Sequence, residues 1–402
     1  MNIQSEIAPL KKVLVHRPYH ALLRLTPTNC RDFLFDDVLW PERAAEEHDY
    51  FSNLLKEQGI EIYQLAQLLE ETLAIPEAKS TLIEQILSVH YHGSAVEKLL
   101  TQFLKAISAK ELTEYLLGGL TVGELDYHPL GLTSRMLDKE EFVLPPLPNH
   151  LFTRDTSTWI GSGVVMNSMM FQARRGESTN LSIIYQYHPL FQKEKPMRWY
   201  EGSDLAHRLP AIEGGDIAVL TKNTVMIGVG ERTQPQAIEA LARTLFKNNV
   251  VSQVIAVKIP KARASMHLDT LITMIDHDTF CTGFPVKNIP SWTLRPGDSH
   301  TELLVDENKD FFKTLATAVG QSQLKIIHVG GNHFSQQREQ WCDASNLLAI
   351  RPGVVIGYEC NVETNRLLKK AGIKVLPIPS SELSRGRGGS HCMSCPLLRE
   401  TL

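Results

Sequence analysis

A short stretch near the end of the chain, Gly386 to Cys395, combines three glycines, a thiol and nearby cations. Its sequence is Gly-Arg-Gly-Gly-Ser-His-Cys-Met-Ser-Cys, so Cys392 directly follows His391 and lies five residues after Arg387. Cationic neighbours favour the thiolate form of cysteine, which is the nucleophile in covalent catalysis. Glycines adopt backbone angles that other residues avoid. We therefore interpret the stretch as a mobile, basic loop that delivers a nucleophilic sulfur.

Three other interpretations of this loop stay open from its residues alone. A cysteine without partners is commonly a small buried hydrophobe. The Cys392-x-x-Cys395 spacing also occurs in redox and metal pairs, although a structural zinc needs four ligands and the chain has no second pair with this spacing. Glycines can also cradle phosphate, but the Walker spacing and its Lys-Ser/Thr are missing.

Acidic and basic residues that could join this thiol stand at matching points of the chain, where strands are predicted to begin. They occur in three short segments: Phe152-Thr-Arg-Asp155, Glu213-Gly-Gly-Asp216 and His267-Leu-Asp269. His267 and Asp269 are two residues apart on a predicted strand, so both side chains should point to one face. The two glycines after Glu213 could form a β-bulge that re-aims one carboxylate.

The residue types in these segments fit one kind of chemistry if they meet around the thiol. Carboxylates beside a thiol suppress its thiolate unless they serve to hold a cation. A guanidinium group is such a cation, and its planar fork suits bidentate contacts with paired carboxylates. A thiolate could attack its central carbon while a histidine moves protons. Taken singly, each segment also fits an ordinary role, as a core histidine, a surface turn or a solvated ion pair.

A recurring strand–strand–helix–strand pattern would bring the segments together. The N-terminal segment supplies a partial copy, and the others begin near Thr156, Asp216, Leu268 and Asn346. In the clearest copy, Thr233 and Gln236 are predicted to cap the helix. Such units can close into a ring, because each buries its open faces against its neighbours. Equivalent positions of the units then face one axis.

Residues 70–138 interrupt this pattern with apolar residues at helical spacing. Ser108 followed by Glu111 is a capping-box pattern that predicts a helix start, and Gly118-Gly119 predicts its end. We therefore expect one catalytic domain over residues 1–402, with a helical insertion at residues 70–138.

Length and composition exclude several classes of partner. The 402 residues carry a net charge of -4 and a pI of about 6.4, which favours neither nucleic acid nor an anionic membrane. No apolar run reaches the roughly 18 residues of a membrane span, and no signal peptide is expected. The six scattered cysteines do not form a disulfide framework. We therefore expect a reduced, cytoplasmic, globular enzyme or binding protein.

The four segments, in their order along the chain, closely resemble arginine deiminase, a member of the guanidine-modifying (pentein) superfamily. The resemblance covers nearly the whole chain, and Leu34 to Trp40 adds a fifth matching motif. It implies an α/β fold, a five-bladed α/β-propeller of ββαβ-type units with a helical insertion after the first. It also implies hydrolysis of L-arginine to L-citrulline and ammonia, without a metal or an organic cofactor.

The same resemblance assigns roles to residues at the matching positions. Cys392 would form a covalent amidino intermediate, and His267 would protonate the departing ammonia and then activate water. Asp155 and Asp269 would hold the guanidinium, with Glu213 assisting beside His267. Four further residues would bind the other end of the substrate: Asn149, Arg174, Arg232 and Arg387. The three arginines among them would face the α-carboxylate. Because the family often forms dimers or higher assemblies, a homo-oligomer is expected.

Two other functions stay open. A related deiminase or amidinotransferase would act on agmatine or another guanidine and would need no site for an α-carboxylate. A protein without catalytic activity could bind arginine, or could hold a metal or a redox dithiol through Cys392 and Cys395.

Overall fold

Five small β-sheets of one plan recur in the structure, a computed structural model that describes residues 1–87, 94–125, 132–202, 209–283, 289–298 and 302–401. In each of them a first strand pairs antiparallel with a second, and the second pairs parallel with a third. The recurring unit predicted from the sequence is therefore present in the described part of the chain.

The first of these sheets joins both ends of the chain. Strand β1 (Leu10–Val15) lies between β2 (Glu61–Gln64) and the last strand of the chain, Cys395–Arg399. Helix α1 (Pro41–Glu57) connects β1 to β2 and starts with a proline, whose missing N–H is not needed in a first turn.

Helices predominate in the next part of the chain, and they begin at Leu65, slightly before the predicted insertion. Its elements are α2 (Leu65–Leu73), α3 (Pro76–Leu87), α4 (Ser94–Ala106), α5 (Ala109–Gly118), β3 (Leu120–Thr121), α6 (Leu132–Met136) and β4 (Phe142–Leu144). Ser108 and Glu111 form the predicted capping box at the start of α5. Residues 88–93 and 126–131 of the predicted insertion lie outside the described residues.

The second and third sheets follow. Their elements are β5 (Ser157–Ile160), β6 (Gly163–Met166), α7 (Arg175–Tyr187), α8 (Pro189–Gln192), β7 (Arg198–Glu201), β8 (Ile217–Thr221), β9 (Thr224–Val229), α9 (Pro235–Lys247) and β10 (Gln253–Lys258). The predicted cap of α9 is wrong, because Gln234 stands at its N-cap without a side-chain hydrogen bond. The Thr233 hydroxyl instead donates to Asp216 Oδ2 at 2.6 Å.

The fourth and fifth sheets complete the chain. Their elements are β11 (Ile272–Asp276), β12 (Thr279–Thr282), β13 (Ser291–Pro296), β14 (Leu303–Glu307), α10 (Phe311–Ala318), β15 (Lys325–His328), α11 (His333–Trp341), β16 (Leu348–Arg351), β17 (Val354–Tyr358), α12 (Val362–Lys370), β18 (Lys374–Ile378) and β19 (Cys395–Arg399). The pair β13 and β14 was not predicted, and it extends the third sheet to five strands by pairing with β10.

Contacts between neighbouring sheets place their first strands side by side. Strand β19 contacts β5, and β11 contacts β16. Apolar side chains fill the spaces between sheets and helices, in clusters around β6 with α7, around β12 with α10, and around β1 with β17. The turns that precede the first strands are thereby brought close together. None of the helices in the described residues is long and apolar enough to cross a membrane.

Candidate active site

Five turns, each just before the first strand of a sheet, are joined to one another by hydrogen bonds. Gly214 N donates to Asp155 O at 3.0 Å, and Leu268 N donates to Asp216 Oδ1 at 2.8 Å. The circuit continues with three more bonds: Ser345 Oγ to Thr270 O at 2.6 Å, His391 N to Asn346 O at 3.4 Å and Arg154 N to Cys392 O at 3.1 Å. The circuit closes on itself and brings the polar segments to one place.

Two local predictions about these turns are wrong. His267 and Asp269 do not lie on a strand, because Leu268–Thr270 form a 3-10 turn and the strand begins only at Ile272. The glycines after Glu213 also form a 3-10 turn rather than a β-bulge. Gly215 is needed there for space, since a Cβ atom would lie 2.8 Å from both Asp155 Oδ1 and His267 Nδ1.

The thiol of Cys392 is buried between two polar side chains. It donates to Asp269 Oδ2 at 3.3 Å and accepts from Asn346 Nδ2 at 3.1 Å. Asn346 Oδ1 also accepts from Cys392 N at 2.9 Å, so this amide holds the residue at two points. Asn346 was not predicted as a site residue, although its position at the start of the fifth unit was an available signal.

The loop that carries this thiol is packed rather than exposed, with every residue from 386 to 397 buried. A Cβ atom at Gly388 would lie 2.3 Å from the Phe152 ring, and one at Gly389 would lie 2.6 Å from Asn346 O. These two glycines therefore permit close packing. The left-handed backbone conformation is adopted by Arg387 instead, with φ of 66°.

The charges around Cys392 oppose the thiolate, contrary to the prediction from its cationic neighbours. Burial raises the pKa of the Cys392 thiol well above its usual value, and the carboxylates of Asp269, Asp155 and Asp343 raise it further. Both ring nitrogens of His391 bond carboxylates: its Nδ1 bonds Asp269 Oδ2 at 2.8 Å and its Nε2 bonds Glu6 Oε2 at 3.1 Å. The sulfur is therefore a thiol in this state.

His267 lies between two carboxylates. Its Nε2 is 2.7 Å from Glu213 Oε2, and its Nδ1 is 3.6 Å from Asp155 Oδ1. Burial lowers the pKa of His267, but Asp155 and Glu213 outweigh this effect and raise it to about 9. Burial likewise raises the pKa of Glu213, whereas Arg232 and His267 bring it down to about 2. At neutral pH the pair is therefore an imidazolium and a carboxylate.

Arg174 is fully engaged by protein acceptors in this structure. Its Nη1 donates to Asp155 Oδ2 at 2.6 Å, and its Nε and Nη2 donate to Glu177. Its Nη2 also donates to Asn149 O at 3.1 Å. The guanidinium therefore lies on one of the carboxylates predicted to hold the substrate.

The remaining predicted binding residues line one narrow cavity with Cys392, Asp155 and His267. They are Asn149, Arg174, Arg232 and Arg387, and the cavity is also lined by Arg263. Arg263 was not predicted. Its guanidinium pairs with Asp36 at 3.0 Å at the rim. Asn149 donates through Nδ2 to Phe33 O at 2.7 Å. The cavity thus combines a thiol and carboxylates with a cluster of cations.

A sequence model of the family described as arginine deiminase matches residues 31–399. The chain belongs to the arginine deiminase family. This match spans all the segments that form the site, from Asn149 to Cys392. The family resemblance stated from the motifs is thus confirmed.

Solved structures share the fold of this arginine deiminase family member at low sequence identity. Dimethylarginine dimethylaminohydrolase, solved as an adduct with S-methyl-L-thiocitrulline, aligns with TM-score 0.52 and 14% identity over 96% of this chain and 99% of that chain. Dimethylarginine dimethylaminohydrolase from Pseudomonas aeruginosa, complexed with citrulline, aligns with TM-score 0.52 and 14% identity over 96% of this chain and 98% of that chain.

A third structure, the N-terminal domain of the cyanobacterial arginine dihydrolase ArgZ bound to its substrate, gives TM-score 0.54 and 14% identity over 97% of this chain and 98% of that chain. These similarities show a common α/β fold that extends over the full length of the matched chains. They leave the chemistry of this family member to be argued from its own residues.

Proposed function

We propose that this protein hydrolyses L-arginine to L-citrulline and ammonia (EC 3.5.3.6) through a covalent amidino intermediate on Cys392. The observation that carries the proposal is the meeting of five groups in one buried place: Cys392, Asp155, Glu213, His267 and Asp269. A thiol beside carboxylates is suited to a cationic electrophile, because the cation offsets the charges that oppose the thiolate.

The carboxylates offer places for the substrate's guanidinium. Asp269 Oδ1 is buried and has no hydrogen-bond partner among the described residues, so it is available to an N–H donor. Asp155 Oδ2 is held at present by the Arg174 guanidinium. The substrate's guanidinium, of the same charge and shape, would take this place and release Arg174 toward the other end of the substrate.

The reaction would proceed in two balanced halves. As the substrate binds, the Cys392 thiol loses its proton to solvent and the sulfur attacks the guanidinium carbon. The bond from that carbon to a terminal nitrogen breaks, and the His267 imidazolium gives its proton to the departing ammonia and becomes neutral. Water then attacks the S–C carbon, His267 takes its proton, and the C–S bond breaks to give citrulline and the thiol. Glu213 keeps His267 oriented throughout, as the 2.7 Å contact indicates.

The cations beside the cavity favour arginine over a guanidine without a carboxylate. Arg232 and Arg387 line the same cavity as Cys392, and Arg174 would join them when the substrate displaces it. Planar guanidinium groups bind carboxylates in bidentate fashion. We propose that these arginines and Asn149 bind the α-carboxylate end of L-arginine.

Incubation of the protein with L-arginine tests the proposal through the formation of citrulline and ammonia in equal amounts. Cys392→Ala should abolish turnover. Cys395→Ala is the matched control and should leave much of it, because that thiol contacts Ser157 through O at 3.4 Å and Oγ at 3.7 Å and does not line the cavity. Full activity in Cys392→Ala, or activity lost only in Cys395→Ala, would contradict the proposal.

A metal-dependent function is the second candidate, because Asp155, Glu213 and His267 place ligand atoms within 4.8 Å of one another. The guanidinium groups of Arg174 and Arg232 already lie on these carboxylates, at 2.6 Å and 3.3 Å, and would repel an added cation. Citrulline formation that stops on treatment with EDTA and resumes with zinc would favour this candidate. Turnover unaffected by EDTA would favour the thiol mechanism.

We also propose the architecture and assembly that the family resemblance implies. The five sheets of one plan and the closed circuit of turns support a five-bladed α/β-propeller, as a single domain over residues 1–402 with a helical insertion at 70–138. A cytoplasmic homo-oligomer without nucleic-acid or membrane partners remains our prediction. Light scattering of the purified protein measures the assembly.

A further inference from the structure

Arg387 is a buried cation whose guanidinium has no hydrogen-bond acceptor in the described part of the chain. Its side chain is 3% exposed, and its Nε, Nη1 and Nη2 have no hydrogen-bond partner among the described residues. Its backbone is held in the left-handed region at φ of 66°. A buried guanidinium without acceptors is costly, and backbone strain of this kind collects at ligand sites. Both features indicate that an anion belongs at its edge.

The face of this guanidinium is held by an aromatic ring. The Arg387 Cζ atom lies 3.6 Å from the centre of the Trp341 ring, within the range of a cation–π contact. Trp341 is the last residue of α11, a helix that was not predicted from the sequence. Trp341 is 48% exposed. No motif of the family resemblance includes it.

The acidic group Asp343 lies near Arg387 and leaves the edge of its guanidinium free. Asp343, two residues after Trp341, is 2% exposed, and neither carboxylate oxygen has a hydrogen-bond partner among the described residues. Burial raises the pKa of Asp343 to about 7, and Arg387 works against that rise. Asp343 therefore balances part of the charge of Arg387 without occupying its donors.

We propose that Trp341 is a positioning residue that sets substrate specificity, by holding Arg387 with its edge open to the α-carboxylate of the substrate. Stacking uses the face of a guanidinium, and carboxylates bind its edge, so the two contacts are compatible. Arg174 shows the contrast, because its edge is filled by Asp155, Glu177 and Asn149 O. This inference rests on the proposed function and deepens it.

The test compares L-arginine with agmatine, which lacks the carboxylate, in Trp341→Ala and Trp341→Phe. In Trp341→Ala the KM for L-arginine should rise about tenfold or more, with kcat changed by less than about threefold. The kcat/KM for agmatine should stay within about twofold. Trp341→Phe keeps an aromatic face and should restore most of the affinity for L-arginine. Phe334→Ala, an exposed residue on the same helix, is the control and should change neither substrate.

Binding separates failure of this inference from failure of the proposed function. If the wild-type protein forms no citrulline, the proposed function is wrong. The positioning role is then judged by calorimetry in the Cys392→Ala background. Adding Trp341→Ala there should weaken L-arginine binding about tenfold and leave agmatine binding within about twofold. Unchanged L-arginine affinity, or equal losses for both ligands in a variant with unaltered thermal midpoint, would overturn the inference.

Discussion

Charge, rather than sequence proximity, governs the proposed nucleophile. His391 and Arg387 are close to Cys392 in sequence, yet His391 bonds Asp269 and Glu6, and Arg387 stacks on Trp341. Burial, together with the carboxylates Asp269, Asp155 and Asp343, therefore keeps the pKa of the Cys392 thiol high. In the proposed reaction, this arrangement would keep the thiol protonated until the cationic substrate enters, so that its deprotonation would depend on the substrate.

The same reasoning predicts which cysteine reacts first with a soluble reagent. Cys360 is exposed, and the contact with the Cys342 thiol lowers its pKa to about 7, although burial opposes the shift. At about pH 7, iodoacetamide should label Cys360 before the buried Cys392, because alkylation requires the thiolate. Peptide mass spectrometry over time measures the order.

Cys360→Ser is the control for this labelling order and should lose the fast phase alone. Labelling of Cys392 at the rate of Cys360 in the substrate-free protein would show that its pKa is not raised.

Three buried histidines that do not line the cavity predict a loss of stability in acid. Burial lowers the pKa of His16 to about 4 and of His48 to about 3, and it lowers that of His150 well below 6.5. At pH values between 6.5 and these lowered pKa values, the histidines bind protons in the unfolded chain but not in the folded chain. The free energy of unfolding therefore falls as pH falls through this window, by at most about 1.4 kcal/mol per pH unit for each histidine.

Urea denaturation of His48→Leu at about pH 7 and about pH 5 tests this expectation. The variant should lose less stability between the two pH values than the wild-type protein. His333→Leu, which changes an exposed histidine, should lose as much as the wild-type protein. Equal losses in all three proteins would show that His48 does not contribute.

At the scale of elements, tight turns set the distances between the groups that we propose to be catalytic. Gly215 lies in the turn at Gly214–Asp216. A Cβ atom added to it would lie 2.8 Å from the side chains of both Asp155 and His267. Gly215→Ala must therefore separate the two side chains. Because a misplacement of about 1 Å can cost about a hundredfold in rate, we expect kcat/KM for L-arginine to fall by at least that factor.

Gly176→Ala provides the matched control for Gly215→Ala. Gly176 lies within α7, and an added Cβ atom would be 3.4 Å from the Leu147 side chain, an ordinary contact. This change should leave activity intact and should not destabilise the fold, because alanine favours helix over glycine. Equal activity in the two variants would show that the turn tolerates a side chain.

At the scale of the whole molecule, the N-terminal residue Glu6 links parts of the chain that are distant in sequence. The Glu6 carboxylate accepts from Val219 N in β8 at 3.1 Å, bonds His391 Nε2 at 3.1 Å and lies 3.8 Å from Arg154. Burial raises the pKa of Glu6, but Arg154 and His391 outweigh it and hold the pKa well below its usual value. The stabilisation by Glu6 is therefore present at neutral pH and is lost as pH falls below the ordinary glutamate range.

Glu6→Gln tests this role through the free energy of unfolding at neutral pH. Removing one partner of a buried ion pair leaves the other charges uncompensated, so a loss of about 3 kcal/mol is expected. Glu46→Gln removes an exposed pair with Arg43 and should cost less than about 1 kcal/mol. If Glu6→Gln lowered the free energy of unfolding as little as this control does, the linking role of Glu6 would be contradicted.

The sequence by itself determined the repeating unit, the family and the identity of the polar segments. Alternation of apolar residues and turn residues is local, so Asp155, Glu213 and Asp269 could be placed at the starts of units without coordinates. The same local rules misplaced the strand at His267 and the cap at Thr233, because tertiary partners of those residues override local preference.

Only the tertiary structure decided the electrostatic state of the site and its supporting residues. The pKa of Cys392, the place of Arg174 on Asp155, and the roles of Asn346 and Trp341 depend on contacts between residues far apart in the chain. Coulomb energy and burial depend on distances in space, and spacing along the chain does not fix those distances.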